Sequence, residues 1–124
     1  MSTIKFTVAT VPVPFKRTLA NGKRRFNDPR YSDFKEVIGL HARRAMQGQA
    51  PLADAVKLSV VISTKFKPTA LQAGDIDNHL KAVLDALNGI CYVDDRQVIE
   101  GHVYLFKGEP QLEITLEEIN HVED

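Results

Sequence analysis

Residues 74–89 read Gly-Asp-Ile-Asp-Asn-His-Leu-Lys-Ala-Val-Leu-Asp-Ala-Leu-Asn-Gly, and their spacing constrains the fold more than any other stretch. Leu80, Val83, Leu84 and Leu87 recur at i, i+3, i+4 and i+7, which places an apolar stripe along one side of a helix. Asp77 or Asn78 suits the cap of its first turn, and Gly89 stands where a left-handed residue ends a helix. Lys81 lies four residues after Asp77, on a side of the helix away from the stripe. Asp75 precedes the helix by two residues. Asp94 and Asp95 follow it after a short reversal, just before an apolar segment that starts near Gln97.

Carboxylates that meet in one place repel each other unless a cation sits between them. Asp75, Asp77 and Asp95 are therefore candidate ligands of a divalent metal ion, with Asp94 and Asp85 as accessory groups. Each has an ordinary reading as well. Asp77 alone reads as a helix cap, and Lys81 alone as the i,i+4 partner of Asp77 or Asp85. Asp94-Asp95 alone reads as a turn. Two adjacent residues entering a strand point to opposite faces, which favours Asp95 over Asp94 as a ligand. Asp85, two turns beyond Asp77, suits a supporting partner of Lys81. His79 is a candidate supporting group near the carboxylates, while His41 falls on the apolar side of its own helix.

The chain has 124 residues, 44% of them hydrophobic, which suits a single domain with one core spanning 1–124. No apolar run approaches the length of a membrane span, and the first residues lack the layout of a signal peptide. Cys91 is the only cysteine, so no intrachain disulfide and no zinc spacing exist, and a cytoplasmic location is the simplest expectation. The formal net charge of zero conceals two opposed regions. Residues 1–50 carry ten Lys/Arg against three Asp/Glu, and residues 51–124 carry six against thirteen, giving +7 and −7. Such a division suits an enzyme that needs cations for phosphates and a local acidic nest for metal. The alternative is that the halves neutralise one another within the fold.

Along the chain, Ile4 to Val11 alternates as a strand and is ended by Pro12 and Pro14. Lys16, Arg17, Lys23, Arg24, Arg25 and Arg30 then cluster in and after a loop with an Asn-Gly turn, the natural place for phosphate contacts. Ser32 is a candidate N-cap for a helix that buries Phe34, Val37, Ile38, Ala42, Ala45 and Met46 and ends near Gly48. Val56 to Thr64 and Val98 to Phe106 read as strands, and Leu112-Ile114-Leu116 alternates in a fourth after the turn at residues 107–110. The order β-α-β-α-β-β suggests an α+β fold, one mixed sheet with two helices packed on it.

Taken together, Asp75-x-Asp77-Asn78-x-x-Lys81, Asp85-Ala86-Leu87 and Asp94-Asp95-x-Gln97-Val98 resemble the signature of the RusA family of Holliday-junction resolvases, small endonucleases of bacteria and their phages. The likeness is concentrated in residues 75–98. It implies a homodimer that resolves four-way DNA junctions by paired phosphodiester hydrolysis with Mg²⁺, or Mn²⁺, as cofactor. It assigns Asp75, Asp77 and Asp95 as the essential acidic residues and gives Lys81 a catalytic role. The connection 65–74 is less basic than that analogy expects, so Phe66 or Leu71 suits a wedge at a junction centre better than a phosphate contact. Two other readings stand beside it: a catalytically silent DNA-binding protein with the same fold, and a metal-dependent nuclease for forks, flaps or RNA.

Overall fold

A computed structural model describes residues 2–16 and 29–119 of the chain. Four strands and two helices follow in the order β1 (Thr3–Val8), α1 (Pro29–Met46), β2 (Ala55–Thr64), α2 (Ile76–Leu87), β3 (Val98–Lys107) and β4 (Gln111–Ile119). They build one α+β unit, as the periodicities imply. The sheet order is β1-β4-β2-β3. β4 runs antiparallel to both β1 and β2, whereas β2 and β3 are parallel neighbours. A parallel pair cannot be joined by a hairpin, and α2 supplies the crossover. The turn after β3 does not lead to a neighbouring strand. It carries the chain past the end of β2, where the Gly108 amide donates to the Thr64 carbonyl at 2.9 Å, and β4 then enters the sheet between β2 and β1.

Alternation sets which face is covered. Val56, Leu58, Val60 and Ile62 of β2 and Leu112, Ile114 and Leu116 of β4 are buried toward the helices. The opposite face carries ion pairs, with Lys57 between Glu100 and Glu117 and Lys5 against Glu113, and the exposed ring pair Tyr104 and Phe106. α1 buries Phe34, Ile38, Ala42 and Met46, close to the expected face, and Gly39 lets Ile90 approach the helix backbone. The helix starts at Pro29 rather than after a cap at Ser32, which corrects the sequence expectation. Proline at the first helical position costs no backbone donor, so the helix gains a turn that capping preference alone does not reveal.

α2 corrects a second expectation. Its N-cap is Asp75, in extended conformation with a carboxylate oxygen accepting from the Asn78 amide at 3.1 Å, so Asp77 and Asn78 lie inside the first turn. Gly89, at φ 81°, follows Asn88 at the far end as expected. On the buried side, Val83 and Leu87 are fully enclosed with Ala82, Ala86 and His79, while Leu80 and Leu84 are partly covered. Cys91 and Tyr92, in the turn after α2, are also fully enclosed.

Gly74 aims the start of α2. Its backbone, at φ 77° and ψ 163°, lies in a region open essentially to glycine, and a Cβ there would come within 2.8 Å of Pro14. Gly74→Ala is expected to lower unfolding free energy by about 1–3 kcal/mol, read from urea denaturation. Burial pushes the Cys91 thiol up to about 12 from its ordinary 9.0. The folded state therefore holds this proton more tightly than the unfolded chain. The stability it contributes is complete below pH 9 and declines as the pH rises from there toward about 12. Labelling by a thiol reagent at pH 8 is expected to be limited by unfolding, with free reaction in urea.

Candidate active site

The exposed side of α2 carries the candidate groups one turn apart. Asp75 caps the helix, Asp77 lies in its first turn, and Lys81 and Asp85 follow at four-residue steps. Asp75 and Asp77 thus sit at the positive end of the helix dipole, next to the first backbone amides, which have no intrahelical partner. Asp75 is held further from below. His79 is buried, its Nε2 lies 2.7 Å from the Ala73 carbonyl oxygen, and its own amide donates to the Asp75 carbonyl at 3.1 Å. Burial lowers the pKa of this imidazole, with the Ala73 carbonyl and the Asp75 charge acting in the opposite sense. His79 thereby ties the loop before the helix to the core.

Lys81 has two neighbours. Its Nζ lies 3.6 Å from Asp85 Oδ1 and 4.9 Å from the centroid of the Phe15 ring. The second oxygen of Asp85 accepts a 2.9 Å hydrogen bond from the Tyr31 hydroxyl of α1. Phe15 and Tyr31 meet edge to face at 5.8 Å, and Lys35 lies 4.7 Å over the Tyr31 ring. Phe15 is itself pinned to α2, its amide donating to the Asn78 carbonyl at 2.9 Å. Burial, then the Asp85 hydrogen bond and charge, raise the Tyr31 phenol well above its usual range.

Asp94 and Asp95 occupy a short 3-10 turn, Asp94 at its cap and Asp95 as its first residue. Arg96 pairs with Asp94. Gln97 organises this turn. Its carbonyl oxygen accepts from the Val93 and Asp94 amides at 2.8 and 3.0 Å, and its amide nitrogen donates to Leu52 and Asp54 carbonyls at 2.8 and 3.0 Å. The Tyr92 hydroxyl donates to the Leu84 carbonyl at 2.7 Å. Its pKa is raised by burial first and then by the charges of Asp95, Cys91, Asp85 and Asp94. The turn and the Asp85 side of α2 therefore share one acidic field.

Among the described residues, no three His, Cys, Asp or Glu side chains are placed to hold a metal ion together. The structure thus brings Asp75 and Asp77 onto one helix mouth and Asp94 and Asp95 onto one turn, without a preformed three-carboxylate cage. The donors still suit magnesium in kind. They are hard oxygens, Asp75 and Asp77 are exposed and Asp95 half-buried. Mg²⁺ commonly takes only one or two protein carboxylates and fills its remaining positions with water and substrate oxygens.

Of the basic residues, Lys16 lines an open groove of about 550 Å³ with Phe15, Leu71, Asp75 and Ile76. Arg30 lies in the first turn of α1. Arg17, Lys23, Arg24 and Arg25 fall outside the described residues. Leu71 is 95% exposed at the groove's edge, and Phe66 lies under Lys65 at 5.3 Å. Phe15 and Tyr31 escaped the sequence reading because an isolated aromatic beside a proline or at a helix start carries no periodic signal. Gln97 stood in the motif, but its bonding to the segment before β2 is visible only once the chain has folded.

The family described as Endodeoxyribonuclease RusA matches residues 9–117. The Bacillus subtilis (strain 168) protein named "Uncharacterized protein YqaN" is 33% identical over 141 aligned residues, covering 97% of this chain and 99% of that protein. A match that spans both helices and most of β4 shows that the chain belongs to the RusA endodeoxyribonuclease family.

Proposed function

We propose that this protein is a metal-dependent, structure-selective endonuclease that resolves four-way DNA junctions as a homodimer. The observation that carries the reading is the exposed side of α2, where two carboxylates at the helix mouth precede, Asp77 by one turn, an ammonium group in contact with Phe15 and Asp85. Asp75, Asp77 and Asp95 would hold Mg²⁺, with Mn²⁺ the alternative. A bound ion would lower the pKa of a water and neutralise charge on the leaving oxygen.

The chain's own residues do the rest. The Asn78 amide engages one oxygen of Asp75 and leaves the other available for a ligand. Lys81 has three N–H donors, and contact with one carboxylate oxygen leaves others for a phosphate oxygen whose charge grows in the transition state. Lys16 and Arg30, with Arg17, Lys23, Arg24 and Arg25 of the basic segment, suit phosphate contacts away from the scissile bond, where they add affinity without sequence preference. One carboxylate set per chain makes one cut at a time. Two symmetric cuts need two chains, and a two-fold dimer matches the symmetry of an open junction.

Incubating the protein with a four-way junction, a fork and a linear duplex, with Mg²⁺ or EDTA, tests this reading. Paired cuts in opposed strands of the junction are expected, with none in EDTA. Asp77→Asn is expected to abolish cutting while leaving junction affinity within about twofold, because metal and phosphate contacts use different residues. Cutting by this variant at the parental rate would remove Asp77 from the site.

A second outcome concerns stability. Without divalent metal, the neutral Asp77→Asn side chain relieves repulsion from Asp75 and is expected to melt higher than the parent. At a Mg²⁺ concentration a hundred times the dissociation constant, the parent gains about 2.7 kcal/mol and the variant less. Equal thermal shifts in a Mg²⁺ titration would show that Asp77 does not share a metal site.

A further inference from the structure

A lysine on a helix surface has a long flexible stem, and an exposed i,i+4 ion pair holds it only weakly. The side chain of Lys81 is 47% exposed, so its pair with Asp85 alone would leave the ammonium mobile. Three further contacts change that. The Asp85 side chain is more enclosed than its partner, at 27% exposed, and both its oxygens are engaged, Oδ1 facing Lys81 at 3.6 Å and Oδ2 accepting from Tyr31 at 2.9 Å. The Phe15 ring also contacts the ammonium, with its centroid 4.9 Å away. Phe15 and Tyr31 also brace each other at 5.8 Å, although one precedes α1 and the other belongs to its first turn.

We propose that Tyr31 is a positioning residue for Lys81: its hydroxyl fixes the Asp85 carboxylate, which with the Phe15 ring holds the ammonium where it meets the scissile phosphate. The inference rests on the reading that Lys81 acts on that phosphate. Tyr31 touches neither metal ligand nor, by its place behind Asp85, the reacting atoms. Its action passes through Asp85, and Lys35 over its outer face adds a cation that favours the electron-rich ring. A purely structural Tyr31 would join α1 to α2 through its ring and have no separate use for its hydroxyl.

Tyr31→Phe separates these roles, because it keeps the ring contacts with Phe15 and Lys35 and removes only the hydroxyl. Turnover on a four-way junction is expected to fall roughly tenfold, since small misplacement of a catalytic group costs about that much or more. KM and the Mg²⁺ midpoint are expected to stay the same. In an Asp85→Ala background, which has already lost the link, Tyr31→Phe is expected to add no further loss. A second arm does not depend on activity. The Lys81 ε-methylene protons, held beside the Phe15 ring, are expected to be shifted upfield in the parent's NMR spectrum and to move toward the random-coil position in Tyr31→Phe. Parental turnover together with an unmoved Lys81 resonance would overturn the proposal, as would a Tyr31→Phe loss that persists undiminished in Asp85→Ala. A parent that cuts no DNA substrate would instead refute the nuclease reading, leaving the Lys81 resonance to decide whether Tyr31 positions it.

Discussion

The arrangement depends on the burial of one face of α2. Val83 and Leu87 are fully enclosed between α1 and the sheet, and each contributes about 1.5–3 kcal/mol on leaving water. Because α2 links the parallel strands β2 and β3, its position on the sheet is dictated by both. A helix so held must turn its other face outward. That face carries Asp77, Lys81 and, partly shielded, Asp85 at successive turns. The apolar stripe thus aims the polar residues: any rotation that buried Lys81 would expose Val83.

The two ends of the crossover are secured by different means. At the start, backbone geometry decides. Gly74 adopts a conformation that other residues avoid, Pro14 packs against it, and His79 reaches back to Ala73, so Asp75 enters as the cap of the helix. At the other end, side-chain hydrogen bonds decide. Tyr92 closes onto Leu84, and Gln97 ties the Asp94–Asp95 turn to the segment that leads into β2. Both anchors are satisfied polar groups near the core, and each would leave orphaned backbone partners if removed. Acidic residues that repel one another are thereby kept on two separate, rigid supports.

Charge plays a small part in stability. The pairs on the open face of the sheet, Lys5 with Glu113 and Lys57 with Glu100 and Glu117, are substantially exposed and individually weak. The Lys5–Glu113 pair joins the basic half of the sequence to the acidic half. Of the carboxylates of α2 and the 3-10 turn, Asp94 pairs with Arg96 and Asp85 is shared between Lys81 and Tyr31, whereas Asp77 and Asp95 form no ion pair among the described residues.

By itself the sequence determined the second helix apart from its first turn, all four strands to within a few residues, the mixed-sheet class and the acidic motif with its family. These rest on short-range spacing, where the next turn of a helix or the next inward-facing strand position is set by residues three or two places away. Tertiary structure decided the rest. The central place of β4 between β1 and β2 depends on pairing between strands far apart in the chain, which no local pattern encodes. The cap fell to Asp75 because Gly74 and Pro14 set where the backbone turns. α1 began at Pro29 because a proline that ends helices elsewhere is accommodated at the first position. Phe15 and Tyr31 acquired a place beside Lys81 only when β1, α1 and α2 converged, since an aromatic ring finds its partner by packing in space rather than by spacing along the chain.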